Sequence, residues 1–469
     1  MKFWLSSLNQ KNYLIATLFP LFIFIIFDSV LYFSGYNYET FDLKWLAIIG
    51  NIYIFSIFLW WLIGFLVKHK SYFRDFRFWV PVLLSLATIL WFYSYKATAH
   101  ASYIVAIIAM LYGIYKRDFY KISPSLIFLF LYALLQFMGL LWVKDISLNE
   151  NQWIIEDQIP LLILPVVLCF YRLRAKDISV FCSIIFKFCL VLFIWYWIAY
   201  VLICHSAEIS FLSCFGFRKD YLAPESPFGV LCFHTQKHYS FIVWLLTIVG
   251  GTSYASYYQN KSGFISKGEL FIYFLFLFCF INILQVRLAQ VVFFILLLVI
   301  ICFEMLKSWN LRNVLIISIS ALSIGIFGFI FLFNYTHFFQ DETRNILYSS
   351  TLAQIQENPW FGSGTLSEQS IISKTTLDPD LFKHLHNDFL MAYIRHGVLG
   401  LVFLCLFLIS YACESFKLKD YRMFFFLFPT FFLMLVDSAF FYQKTIALTC
   451  IFIGVLYVSP KRNLAYPFY

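Results

Sequence analysis

Residues 268–306 read GELFIYFLFLFCFINILQVRLAQVVFFILLLVIICFEML. Two apolar runs, each close to the length of about 20 residues that a bilayer-spanning helix needs, flank the short polar turn Gln285-Val-Arg-Leu-Ala-Gln290. A charge such as Arg287 at a tight membrane turn is costly unless it is paired, bound to something or snorkelling to headgroups.

The same pattern repeats in both directions. Hydropathy and turn signals give about fourteen such segments, at about 12–34, 45–67, 78–95, 98–115, 124–143, 158–171, 178–203, 231–256, 268–286, 288–306, 313–335, 386–412, 423–438 and 441–459. The segment at 158–171 is short enough to be re-entrant. Composition agrees, with 62% hydrophobic residues, only 13% charged, 60 Phe, 31 Tyr and a mean hydropathy of +0.80. Soluble domains are less apolar and carry about 25% charge. An ordinary soluble enzyme, a disordered chain and a DNA-binding domain are therefore excluded, and no nucleic-acid partner is expected. The fold expected is an all-α polytopic membrane protein of about 12–14 transmembrane helices.

The net charge of +9 is distributed in connectors. One set is basic: Lys68, Lys70, Arg74 and Arg77; Lys116, Arg117 and Lys121; Arg172, Arg174 and Lys176; Lys261 and Lys267; Lys307 and Arg312; Lys417, Lys419 and Arg422; Lys461 and Arg462. The alternate set is acidic or mixed, as at Glu39 and Asp42 or at Asp145, Glu150, Glu156 and Asp157. By the positive-inside rule this alternation puts both termini in the cytoplasm. Lys2 and Lys11 precede the first apolar run, which reads as an uncleaved anchor rather than a signal peptide.

Two external connectors are long, at about 204–230 and 336–385. A loop of that length usually carries function. The organisation expected is thus a helical region over 1–335, a large external loop over 336–385 and a C-terminal helical region over 386–469. The 11 cysteines are scattered without a C-x-x-C pair. Cys204, Cys214 and Cys232 lie near one external loop, leaving free thiols and a disulfide both open.

The external connectors hold the candidate chemistry. After Asp341-Glu-Thr-Arg344, residues 344–357 have Ile346, Leu347, Leu352 and Ile355 at roughly helical spacing, as in an amphipathic helix along the membrane surface. Arg344 either faces a ligand or pairs with Asp341 or Glu342. The turn Asn358-Pro-Trp-Phe-Gly-Ser-Gly364 holds two permissive glycines, Gly362 and Gly364, suited to a plain loop or to close approach of a headgroup. Lys383-His-Leu-His-Asn387 then leads into the next apolar run. On a helix His384 and His386 would point about 200° apart. His386 is the better placed, at a helix mouth where the N-terminal dipole attracts anions and disfavours imidazolium, leaving the neutral ring that a general base requires. Gly397 and Gly400 suit close helix packing. His234 and His238 are four apart, and Arg218 and Lys219 precede them; with no third ligand nearby, a polar face lining the site is expected rather than a metal. In Asp378-Pro-Asp380 the proline favours an exposed turn, so no metal or other cofactor is expected there either. Asp437, near the external end of a late helix, is a candidate counter-ion for one of the arginines.

Taken in order, Arg287 between paired helices, Arg344 ahead of Asn358-Pro-Trp-Phe-Gly-Ser-Gly364, His384-Leu-His-Asn387, Gly397-Val-Leu-Gly400 and Asp437 resemble the bacterial O-antigen ligase and polymerase superfamily, most strongly over about 270–440. The resemblance implies a C-type glycosyltransferase architecture, a periplasmic side for the large loop over 336–385, and a periplasmic active site in the bacterial inner membrane, serving lipopolysaccharide biosynthesis. It implies an undecaprenyl pyrophosphate-linked glycan donor and, for a ligase, a lipid A-core acceptor. It also implies that Arg287 and Arg344 hold the pyrophosphate and that His386 activates the acceptor; the reading of the residues themselves adds Arg218, His234, His238, His384, Asn387, Gly362, Gly364 and Asp437 as substrate-binding candidates. Guanidinium groups stabilise a departing pyrophosphate as a divalent metal does elsewhere, and backside attack inverts the anomeric centre. The same residues leave open a polymerase of O-antigen or capsule repeats, a protein O-glycosyltransferase, or a lipid-linked glycan flippase. A transporter would instead carry ionisable residues and broken helices near the bilayer midplane.

Overall fold

The computed structural model describes residues 43–72, 75–142, 152–206, 239–260, 264–284, 286–305, 319, 342–375, 385–441 and 443–457. Within them the elements are α1 (Leu43–Lys68), α2 (Phe76–Leu90), α3 (Tyr95–Tyr115), α4 (Pro124–Met138), α5 (Gln152–Phe170), α6 (Ala175–Ser206) and α7 (Tyr239–Asn260). They continue with α8 (Lys267–Leu284), α9 (Arg287–Met305), α10 (Glu342–Ile355), α11 (Ser367–Ile372), α12 (Asp388–Leu418), α13 (Tyr421–Val436) and α14 (Gln443–Leu456). No β-strand occurs among the described residues.

Local sequence sets the helix starts. Asp75 caps α2 through the Arg77 amide at 3.0 Å, and Ser94 caps α3 through the Ala97 amide at 3.2 Å. Pro124 occupies the first turn of α4, where its missing N–H costs nothing. Ser266 and Glu269 form a reciprocal capping box on α8, with Ser266 N to Glu269 Oε2 at 2.9 Å and Glu269 N to Ser266 Oγ at 3.3 Å.

The expected segments at 12–34 and 313–335 lie outside the described residues; each of the others coincides with a helix. Among the described residues six helices are long and apolar enough to cross a membrane: α3, α4 with its 3-10 extension, α8, α12 and the apolar parts of α1 and α6. Among the described residues α2, α5, α9, α13 and α14 are also apolar helices.

The most apolar stretch of α6 is wholly buried, with α1, α2, α7, α8 and α14 packed around it. Inside this bundle Lys187 of α6 pairs with Glu269 of α8, both side chains fully buried, and Lys187 Nζ lies 5.9 Å from the Trp61 ring centroid. Opposite charges are tolerated there because each neutralises the other and Glu269 also takes the Ser266 donors.

Contacts define two ends. Tyr254 donates to Glu304 at 3.0 Å, and the Phe303 and Tyr421 rings lie 4.8 Å apart. Gln259 donates to the Lys419 carbonyl. The last turns of α7, α9 and α12 and the first turn of α13 therefore share one end. Arg77 with Asp118, Arg174 with Asp75 and Asp177, and Arg422 with Asp420 are ion pairs of this basic end. Arg422 Nη1 ties it to the start of α6 through the Ala175 carbonyl at 2.8 Å. At about 1.5 Å per residue, the first turns of α9 and α12 and the last turn of α13 fall at the far end. Arg287, His386 and Asp437 thus lie at the same end of the bundle.

Candidate functional site

The site begins with the cap of α12. Asn387 has extended backbone, φ −161° and ψ 113°, and its Oδ1 accepts from the Phe389 and Leu390 amides, both at 3.0 Å. Its Nδ2 donates to the Leu435 carbonyl at 3.0 Å, tying the start of α12 to the end of α13. Just before it, His386 is held at φ +51°, an uncommon conformation for a non-glycine residue. Residues 385–387 are thus not helical, so the helical argument separating His384 from His386 does not apply; His384 itself lies outside the described residues.

Asp388, fully buried, fixes the other wall. Its carboxylate accepts from Ser438 Oγ at 2.6 Å, the Ala439 amide at 2.8 Å and the Phe440 amide at 3.2 Å. This clamps the turn after α13, whose first residue is Asp437. Asp437 Oδ1 lies 3.5 Å from His386 Nδ1, and the same oxygen accepts from the Ser438 amide at 3.0 Å. The His386 side chain is 25% exposed and that of Asp437 only 6%, so the imidazole faces outward from a buried carboxylate. The sequence reading made Asp437 a counter-ion for an arginine; the structure sets it beside His386.

Helix α10 approaches from the other side. Tyr348 Oη donates to the His386 carbonyl at 3.4 Å. Arg344 is one turn earlier on the same helix, hence on the same face as Tyr348, and is half-buried. The buried stripe of α10 is Leu347, Thr351 and Ile355, packed toward α11 and α12, whereas Leu352 is 53% exposed. The helix expected over 344–357 is present, but part of its apolar face covers protein.

The glycines build the scaffold below the site. Gly397 interrupts α12 with φ +62° and ψ −155°, a conformation open in practice only to glycine. The break leaves backbone groups without helical partners, and the turn after Pro359 supplies them. Ser363 N donates to the Ile394 carbonyl at 2.8 Å, Gly364 N to the Arg395 carbonyl at 2.9 Å, and Val398 N to the Pro359 carbonyl at 2.9 Å. Gly362 (φ +68°) and Gly364 (φ +95°) let the turn fit. A Cβ on Gly362 would run into the Arg395–Gly397 backbone, and one on Gly397 into Trp360 and Phe361. A Cβ on Gly400 would strike Ala392 of the same helix across the bend, so the pair Gly397 and Gly400 makes the break rather than a helix–helix crossing.

A buried ion pair locks this scaffold. Arg395 reaches Glu368 of α11 through Nε at 2.9 Å and through Nη2, and Gln136 of α4 through Nη1 at 3.2 Å. Its guanidinium carbon sits 4.5 Å from the Phe441 ring centroid. Sequence reading missed Arg395, Glu368, Asp388 and Tyr348. Asp388 follows directly on His-Leu-His-Asn, and that adjacency was its one signal; the partners of the others are distant in sequence.

Arg287 opens α9, and Gln290 one turn on donates to Asn282 Oδ1 at 3.2 Å across the turn between α8 and α9. The Arg287 side chain is outside the described set, as are Arg218, His234, His238, Asp378 and Asp380. So are Cys214, Cys232 and the Cys204 side chain. The site therefore unites His386, Asn387 and Asp437 with the helix bearing Arg344, and Arg287 shares their end of the molecule.

These features define a multi-pass helical membrane protein with a histidine–carboxylate pair at one end of the bundle. Residues 272–405, a stretch that holds Arg287, Arg344 and His386, match the family model described as O-antigen ligase. No curated protein matches the chain.

Proposed function

We propose that the protein is a C-type glycosyltransferase of the O-antigen ligase kind, moving a glycan from undecaprenyl pyrophosphate to a lipid A-core acceptor at the periplasmic face of the bacterial inner membrane. The observation that carries this reading is the approach of Asp437 to His386 Nδ1 at 3.5 Å inside an anion-accepting helix mouth. A carboxylate on that side favours the tautomer with its proton on Nδ1 and leaves the Nε2 lone pair for a substrate. The acceptor hydroxyl loses its proton to Nε2 as its oxygen attacks the anomeric carbon. The carbon–oxygen bond to pyrophosphate breaks, and the electron pair leaves on the pyrophosphate. Arg344 and Arg287 meet the charge that develops there. Attack opposite the leaving group inverts the anomeric centre. The guanidinium groups do the work given to a divalent metal in other transferases, so transfer persists in EDTA.

The test is reconstitution of purified protein with a defined lipid-linked donor and separate candidate acceptors. Transfer to lipid A-core supports the ligase. Transfer only to a second lipid-linked repeat makes it a polymerase, and transfer to a Ser or Thr hydroxyl a protein O-glycosyltransferase. Movement of donor across the bilayer without a new glycosidic bond overturns the enzyme reading. In cells, a deletion that accumulates long lipid-linked polymer with bare core matches the ligase, whereas single repeats on the core match the polymerase.

A further inference from the structure

At the basic end, an apolar groove runs between α2, α3, α5 and α14. It holds a cavity of about 90 Å³ walled by Val80 and Leu84, Ala106 and Ala109, and Pro160 through Leu168 and beyond. The α5 wall alone extends about 12 Å at 1.5 Å per residue. Ile163 in that wall is 40% exposed, so the groove opens on the outer surface of the bundle.

Two buried donors, one lining the groove and one on a helix that walls it, lie toward the basic end. Tyr171 lines the groove, is 6% exposed, and its hydroxyl has no hydrogen-bond partner among the described residues. Arg77 is 7% exposed and lies on the same stripe of α2 as Val80 and Leu84, one turn nearer the basic end. Its Nη2 pairs with Asp118, but its Nη1 has no partner among the described residues. The Arg77 charge is felt at the Tyr171 hydroxyl, together with those of Arg174, Asp75 and Asp177. Asp75 and Asp177 are both engaged by Arg174, at 3.0 and 2.6 Å. An unpaired buried guanidinium N–H and an unpaired buried hydroxyl at the same end of the bundle each call for an acceptor, and an anionic oxygen serves both. The surrounding field has the same sign, because the described residues of connectors 68–77, 116–121 and 172–177 carry nine Lys and Arg against three Asp.

We propose that this groove binds one acyl chain of an anionic phospholipid, whose phosphate accepts from Arg77 Nη1 and Tyr171 Oη. The site is at the opposite end of the bundle from His386 and does not depend on the glycosyl-transfer reading. A water molecule would satisfy the donors but not the apolar wall; a neutral lipid would fill the wall but not the donors.

The experiment uses the full-length protein in a neutral detergent, with dioleoyl phosphatidylglycerol and dioleoyl phosphatidylcholine titrated separately and bound lipid counted by native mass spectrometry. Phosphatidylglycerol should bind about fivefold tighter or more, the worth of roughly one cation–phosphate interaction. Tyr171→Phe removes a hydroxyl that makes no described bond, so the fold is retained while affinity falls about threefold or more. Ala106→Phe fills the groove and leaves the donors in place; it should reduce phosphatidylglycerol binding by a similar factor. Gel filtration and helix content confirm that both variants fold. Equal affinity for the two lipids overturns the site. Wild-type phosphatidylglycerol binding by either variant does the same. Displacement of the lipid by millimolar inorganic phosphate makes it a site for phosphate alone and overturns the lipid assignment.

Discussion

His386 owes its chemical value to neighbours that arrive from three elements: the Asn387 cap, the Asp437 carboxylate and the Tyr348 hydroxyl. Replacing it with alanine should abolish transfer, a loss of about 10²–10⁴-fold for a general base, while membrane insertion and yield stay unchanged. Asp437→Asn keeps an oxygen near Nδ1 but removes the charge. We expect kcat to fall by about tenfold or more with little change in KM, and a variant with wild-type kcat would detach Asp437 from the chemistry. Arg344→Lys should also transfer poorly, because a point charge cannot reproduce the planar fork. At this scale His386 was legible, because a histidine at the mouth of an apolar run after a long polar loop is conspicuous. Its partner was not, because sequence does not say which of several polar groups at one end turns toward the imidazole.

Among the elements, α12 is the one whose shape the site depends on. Its break at Gly397 is completed by two amides and a carbonyl from a turn more than thirty residues upstream, and the turn's glycines match the break. Gly397→Ala should destabilise the protein by about 3 kcal/mol or more, seen as a lower melting temperature and as protease cleavage near residue 360. Normal stability in that variant would mean that α12 tolerates a straighter path. Asn387→Asp separates two roles: the cap oxygen remains, but the donor to the Leu435 carbonyl is lost. Transfer should fall while the melting temperature moves by less than the roughly 1 kcal/mol that losing a cap entirely would cost. Sequence reading found the helix and both glycine pairs. It assigned Gly397 and Gly400 to a helix crossing, because a glycine pair at this spacing has the same appearance at a crossing and at a break.

Across the whole molecule, the buried Lys187–Glu269 pair and the charged basic end respond to different perturbations. Lys187→Met alone strands a buried carboxylate and should cost about 3–5 kcal/mol, whereas adding Glu269→Gln should restore much of that loss; an additive double variant would show that the pair is not coupled. His69, between Phe65 at 4.7 Å and Phe264 at 5.3 Å, is held below the ordinary histidine range by burial and then by Lys68 and Lys176. With the folded value depressed, the unfolded chain binds the extra proton first. The contribution is therefore intact above about pH 6.5 and is lost as pH falls below it. His69→Phe should flatten that part of the melting-temperature profile between pH 7 and 5, and an unchanged profile would remove His69 as its source.

What the sequence determined alone was the membrane-helical class, the position of nearly every described helix and the end of the bundle where the candidate chemistry gathers. Those follow from apolar run length, cap residues and the sign of connector charge, all of which act within about twenty residues of chain. Tertiary structure decided which groups meet: Asp437 with His386, Arg395 with Glu368 and Gln136, and the 359–364 turn with the break in α12. Such contacts join residues tens to hundreds of positions apart, and a hydrogen bond or ion pair depends on angstrom-scale placement that only the packed bundle supplies.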